Sequence, residues 1–199
     1  MNNPANTKLK VMLVDEASER SESIAELLQD AGCEVIASVS PGHDLLQHIE
    51  EDEPDLVIID IELPDRDIME NLQSAQATTP RPMVMFSQDE EGYTIRRAIE
   101  AGVSAYVVDG IDAARVRPII DAAIATFDQF QLLQKQLQVT QGELEKRDKV
   151  ETAKRILMKQ RNVSDAEAYK LMRHTAMEER IKVIEIAERI IDANKLLCG

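Results

Sequence analysis

Cysteine is nearly absent: Cys33 and Cys198 are the only two among 199 residues. A scaffold held by several disulfides is thereby excluded, and a zinc site built on thiolates lacks ligands. Long apolar runs are missing too. No stretch approaches the roughly 20 residues that cross a bilayer, and the start of the chain carries no signal-peptide core. Histidine is scarce and scattered, at His43, His48 and His174. The acidic triad Asp15, Glu16 and Asp60 has no adjacent histidine or cysteine of the kind nucleophilic catalysis needs, so the chain is not expected to be an enzyme. What is present suits a folded, water-soluble chain: 44% hydrophobic residues are enough for a core, and 30% charged residues argue against a membrane-embedded one. The expectation is a cytoplasmic protein with no membrane partner, of one large or two small domains.

Positive charge is short overall, with a formal net charge of −14, but the shortage is local. Residues 1–128 hold 9 Lys+Arg against 26 Asp+Glu, a balance of −17, whereas residues 129–199 hold 14 against 11, a balance of +3. An acidic body joined to a mildly basic tail implies two parts with different partners. Only the tail is suited to approach a polyanion.

The acidic part alternates short apolar runs with helical spacing. Lys10–Asp15, Asp55–Asp60 and Pro82–Ser87 are nearly continuous hydrophobic stretches that end in polar residues, and Glu34–Val39 and Ala105–Val108 are weaker examples. Such runs suit parallel strands covered on both faces. Between them, Ile24/Leu27/Leu28, Leu45/Leu46/Ile49, Ile68/Met69/Leu72 and Ile95/Ala98/Ile99 recur at helical spacing, with Gly32 and Gly102 where helices would stop. The pattern predicts a doubly wound α/β fold with a five-stranded parallel sheet.

From Asp112 onward the pattern is helical throughout. Pro118 lacks an amide donor, which predicts a helix that starts late or kinks. Phe130, Leu133, Leu137, Thr140 and Leu144 form a short seam with alternating spacings of three and four. It fits either a coiled coil between two copies or one long helix packed on its own domain. The remainder predicts three short helices at 150–160, 166–177 and 181–193, the second opened by a capping box from Ser164 to Glu167. Tyr169 is expected in their core, and Ala153 and Ala176 are expected as packing residues rather than ligand contacts. The resulting domain limits are 8–126, 127–148 for a helical connector, and 149–195.

Ligands of an open parallel sheet bind at the carboxyl ends of its strands. Asp15 and Glu16 close the first predicted strand and Asp60 the third, which are neighbours in the order 2-1-3-4-5. Convergent carboxylates repel unless a cation joins them, and hard oxygen ligands suit Mg²⁺. Ser87 ends the fourth strand and offers a hydroxyl to a nearby anion. At this point residues 8–126 resemble the receiver domain of bacterial two-component response regulators, through VMLVDE, DLVIIDIELPDRD, MVMFS and AGVSAY. The resemblance implies that Asp60 is the phospho-acceptor, that Asp15, Glu16, Asp60 and the backbone carbonyl of Glu62 hold Mg²⁺, and that Ser87 and Tyr106 are switch residues. One departure is Asp109, at a position where receivers usually carry Lys. A carboxylate there would repel a phosphoryl oxygen instead of pairing with it. Control by phosphorylation and control by a bound partner protein both stay open.

The segment 149–182 holds nine basic residues against five acidic ones. Residues 140–195 resemble the ANTAR output domain of transcription antitermination regulators, through AKRILMKQRNVSDAEAYKLMRHTAM and the later IAERII. By that resemblance the chain would bind paired stem-loops in leader mRNA and prevent a terminator hairpin from forming. Lys154, Arg155, Lys159, Arg161 and Arg173 are the candidate RNA contacts, since cations neutralise phosphates whatever the base sequence. The AGVSAYVVDG segment resembles the nitrate-assimilation branch, which implies nitrate or nitrite genes as targets. Implied partners are a sensor protein, either a histidine kinase or a nitrate-sensing regulator, and a second copy of the chain in the active state. The alternatives are a protein-interaction and dimerisation module without nucleic-acid binding, a DNA-binding regulator, or a phosphorylation-driven regulator of another operon.

Overall fold

The computed structural model describes residues 8–16, 18–42, 44–108 and 110–198, with the backbone alone for 18–20, 197 and 198. Asp109 and His43, both weighed above, lie outside the described residues. The chain divides into two compact units, 1–131 and 132–199.

In the first unit the apolar runs form β1 (Leu9–Asp15), β2 (Cys33–Val39), β3 (Leu56–Asp60), β4 (Met83–Ser87) and β5 (Ala105–Val108). All neighbouring pairs are parallel, in the order β2-β1-β3-β4-β5. Between the strands run α1 (Ser18–Asp30), α2 (Leu45–Asp52), α3 (Arg66–Thr78) and α4 (Gly92–Glu100). Successive strand residues point to opposite faces, and both faces are covered. Met12, Val14, Val57, Ile59 and Met85 pack with Ile49, Met69 and Leu72 on one side. Val11, Leu13, Ile58, Val84 and Phe86 pack with Leu28, Val116 and Ile120 on the other. This double burial is why the strands read as continuous rather than alternating hydrophobic runs.

The two predicted glycine stops are found. Gly32 and Gly102 have φ of 83° and 98°, a region costly to any side chain. At Gly102 an added Cβ would also stand 2.5 Å from Gln76 Cγ.

One helix, α5 (Ala113–Arg161), runs from the first unit into the second. The late start expected from Pro118 is not found. The Asp112 carboxylate accepts from the Ala114 amide at 2.9 Å, and its carbonyl accepts from Arg115 and Val116. This cap, with Val116, Ile120 and Ala123 buried against the sheet, anchors the helix before the proline. The expected separate helix at 150–160 is the last part of α5. Glu, Leu, Lys and Arg dominate residues 143–149, and these strong helix formers supply no break.

In the second unit, α6 (Asp165–Glu179) and α7 (Val183–Cys198) pack with the end of α5 around Ala153, Met172, Ala176, Ile186 and Ala187. Ala153 and Ala176 are buried, as expected for packing residues. Tyr169 is not in this core. It is 44% exposed, because Ala168 and Met172 take the inward face of α6. Among the described residues no helix is long and apolar enough to cross a membrane.

Candidate functional site

The first unit carries its acidic residues where the sheet order predicts. Asp15 and Asp60 are direct partners in the β1–β3 register, so their carboxylates end adjacent strands side by side. Asp15 is buried and accepts a 2.7 Å hydrogen bond from Ser21 Oγ of α1, while Asp60 is half-buried and Glu16 is exposed. Among the described residues no group of three acidic, histidine or cysteine side chains is close enough to hold a metal ion. The donors are hard oxygens of the kind Mg²⁺ prefers, but Glu16 does not join the pair. The Glu62 carbonyl, expected as a further ligand, already accepts from Ser87 Oγ at 2.9 Å and from the Gln88 amide at 3.3 Å. Both of its lone pairs are engaged, so a cation there would displace a donor.

Ser87 and Tyr106, expected as switch residues, belong to one hydrogen-bonded string. Buried at the end of β4, Ser87 gives its hydroxyl proton to the Glu62 carbonyl and accepts from the Asp89 amide at 3.1 Å. Tyr106 of β5 donates to the Asp89 carbonyl at 2.8 Å. Burial pushes the Tyr106 phenol above its ordinary range, the Ser87 hydroxyl opposes that shift, and Asp89 adds to it. The phenol therefore acts as a neutral donor at physiological pH. Asp89 was not among the expected site residues. Its part is played by the backbone, which side-chain chemistry in a sequence does not advertise.

The second unit sorts the expected RNA contacts into two groups. Lys154 is only 8% exposed, and its ammonium sits 2.9 Å from Glu151 and 2.6 Å from Asp165. Those partners, Asp165 first, hold its pKa above the ordinary lysine value. Lys154 thus ties α5 to the start of α6. Sequence could not show this, because Asp165 reaches Lys154 only after the chain turns at residues 162–164.

Arg155, Lys159, Arg161 and Arg173 are exposed. Arg155 and Lys159 share one face of α5 at i, i+4, and Arg155 donates to Thr152 Oγ1 at 3.2 Å. Lys159 and Arg161 lie in the last turn of α5, where cations also complement the helix dipole. Arg161 lines a groove of about 310 Å³ whose floor includes Leu157, Met172 and Ile186. On the same groove is Arg189, ion-paired with Glu179. Arg189 was missed as a site candidate, since it stands 28 positions beyond Arg161 in the sequence.

Comparison with known proteins matches residues 11–121 to the response regulator receiver domain and residues 138–191 to the ANTAR domain. The transcriptional regulatory protein PdtaR of Mycobacterium tuberculosis is 25% identical over 183 residues, covering 92% of this chain and 89% of that protein. The chemotaxis protein CheY of Listeria monocytogenes is 28% identical over 117 residues, which span 58% of this chain and 98% of CheY. Among solved structures, a CheY-like receiver domain protein from Methanospirillum hungatei superposes with a TM-score of 0.53 at 22% identity, covering 62% of this chain and 98% of that one. The structural likeness bears on the fold.

Proposed function

The chain belongs to the response regulator receiver family and carries an ANTAR domain, and from that premise we propose that it acts on transcription by gripping stem-loops in leader mRNA. The carrying observation is the set of four exposed cations, Arg155, Lys159, Arg161 and Arg173, on the ANTAR part of a chain whose other part is strongly acidic. A-form stems are held through shape and phosphate contacts, and unpaired loop bases are open to side chains. Tyr169, exposed on the same helix as Arg173, is available to stack on such a base.

Two hairpins are gripped by two copies. Leu133, Leu137 and Leu144 of the α5 seam are 60%, 58% and 55% exposed, an apolar stripe whose self-complementary spacing suits an identical helix. Pairing would raise affinity by making the second hairpin contact intramolecular. Holding both hairpins then keeps the competing terminator from forming. Nitrate and nitrite assimilation genes are the proposed targets, on the likeness of the AGVSAYVVDG segment.

Input reaches the receiver through a sensor protein. Phosphorylation would have an Asp60 carboxylate oxygen attack the phosphorus of a phosphohistidine while the phosphorus–nitrogen bond breaks. Mg²⁺ bound by Asp15 and Asp60 would neutralise the paired carboxylates. To meet a phosphoryl group on Asp60, the Ser87 hydroxyl would have to leave the Glu62 carbonyl, and that rearrangement would release the string to Tyr106.

The decisive test is titration of the full chain into a labelled two-hairpin leader RNA over a range of salt. Binding should fall steeply with salt. Arg155→Glu or Arg173→Glu should weaken it and flatten the salt slope by about 0.7–0.9 for each phosphate that is no longer neutralised. Retained affinity in both variants would refute the assigned surface. Duplex DNA as an effective competitor would favour the DNA-binding alternative.

A further inference from the structure

Four of the nine Lys and Arg residues in the acidic part, Lys8, Lys10, Arg81 and Arg117, line a single cavity of about 860 Å³. It opens where β1, β3 and β4 begin, the end of the sheet opposite Asp15 and Asp60, and is walled by α5. In a stretch of balance −17, this clustering of cations is a local reversal of charge.

The fold holds the Arg117 side chain and the Arg81 backbone in place. Arg117 donates to the Ala31 carbonyl at 3.2 Å and pairs with Asp121 at 3.0 Å. The backbone of Arg81 is fixed by the Gln76 side chain at 3.0 Å. Its Nε is the one buried side-chain donor without a hydrogen-bond partner among the described residues. Two carboxylates also line the cavity, and one of them, Asp55, already accepts from the Lys10 amide at 2.9 Å. The rest of the wall includes Pro82, Ile124 and Phe127, an apolar and aromatic surface that a bare inorganic anion would leave unused.

We infer that this cavity binds a nucleoside polyphosphate, its phosphates on Lys8, Lys10, Arg81 and Arg117 and its base against Phe127 and Ile124. The volume lies within the roughly 300–1,000 Å³ of small-ligand sites. A polyphosphate matches the four cations, and a base matches the apolar wall. This site is separate from the RNA surface and does not depend on it.

The test is fluorescence anisotropy of ATP and GTP carrying a methylanthraniloyl label, titrated with the full chain at low ionic strength. Saturable binding should be competed by the unlabelled triphosphate and only weakly by inorganic phosphate. K10Q/R117Q should weaken it by about tenfold or more. K8Q/K10Q should do the same, without touching the bonds that tie Arg117 to the fold. R155Q/R173Q should leave it unchanged. No saturable binding, equal competition by inorganic phosphate, or loss of binding only in R155Q/R173Q would each overturn the assignment.

Discussion

Lys154 shows how one side chain changes its meaning once its surroundings are known. As a letter it is one more cation in a basic run; in the fold its ammonium bridges Glu151 and Asp165. Lys154→Glu would set three acids together and should lower the thermal midpoint, whereas Arg155→Glu on the exposed face should leave that midpoint nearly unchanged. Differential scanning calorimetry of the two variants separates the roles. A second residue-scale prediction concerns Glu167, whose carboxyl is held below its usual range first by the Ser164 amide and then by the Ser164 hydroxyl. A depressed carboxylate contributes stability that is fully present above its unfolded pKa of about 4.3 and is lost as pH falls through the lower folded value. Wild type should therefore lose midpoint faster than Glu167→Gln between about pH 5 and the acid limit, which parallel melts against pH will show.

At the scale of elements, strands and caps were legible and helix boundaries were not. The runs of β1, β3 and β4 were plain because burial on both faces leaves no alternation to misread, whereas the half-buried edge strands β2 and β5 gave weaker runs. The capping box was equally plain, since Ser164 and Glu167 satisfy each other within one turn. Helix α5 was expected in shorter pieces, with a late start or kink at Pro118 and a separate helix over 150–160. Its actual continuity rests on the Asp112 cap and on residues 143–149, where strong helix formers predominate. Ala153, fully buried where α5 meets α6 and α7, leaves no room for a larger side chain. Ala153→Leu should cost about 1–3 kcal/mol in urea unfolding through overpacking, and RNA binding should decline with it.

For the whole molecule, the expected consequence of the α5 seam is self-association. Leu133→Asp with Leu137→Asp places charge at the centre of the exposed stripe and should shift sedimentation velocity from dimer to monomer. Affinity for a two-hairpin RNA should then drop toward that for a single hairpin. If the double variant sediments as wild type does, the seam is not the pairing surface. Beryllofluoride with Mg²⁺ adds a test of input, since a working Asp60 should favour the dimer and Asp60→Asn should abolish that response.

The alternation of apolar runs with helical spacing, the acidic strand ends, the capping box and the split of charge were all written in the order of residues. These properties are local, or repeat at a fixed period, and short-range sterics and burial suffice to express them. Tertiary structure decided which charges remain available. It brought Asp165 onto Lys154 and turned Ser87 toward the Glu62 carbonyl. It also set Arg81 beside Lys8, Lys10 and Arg117 around one cavity. Each of these pairings joins positions separated by a turn or by whole elements. A charge or hydroxyl is spent or spare only according to the neighbour that folding delivers to it.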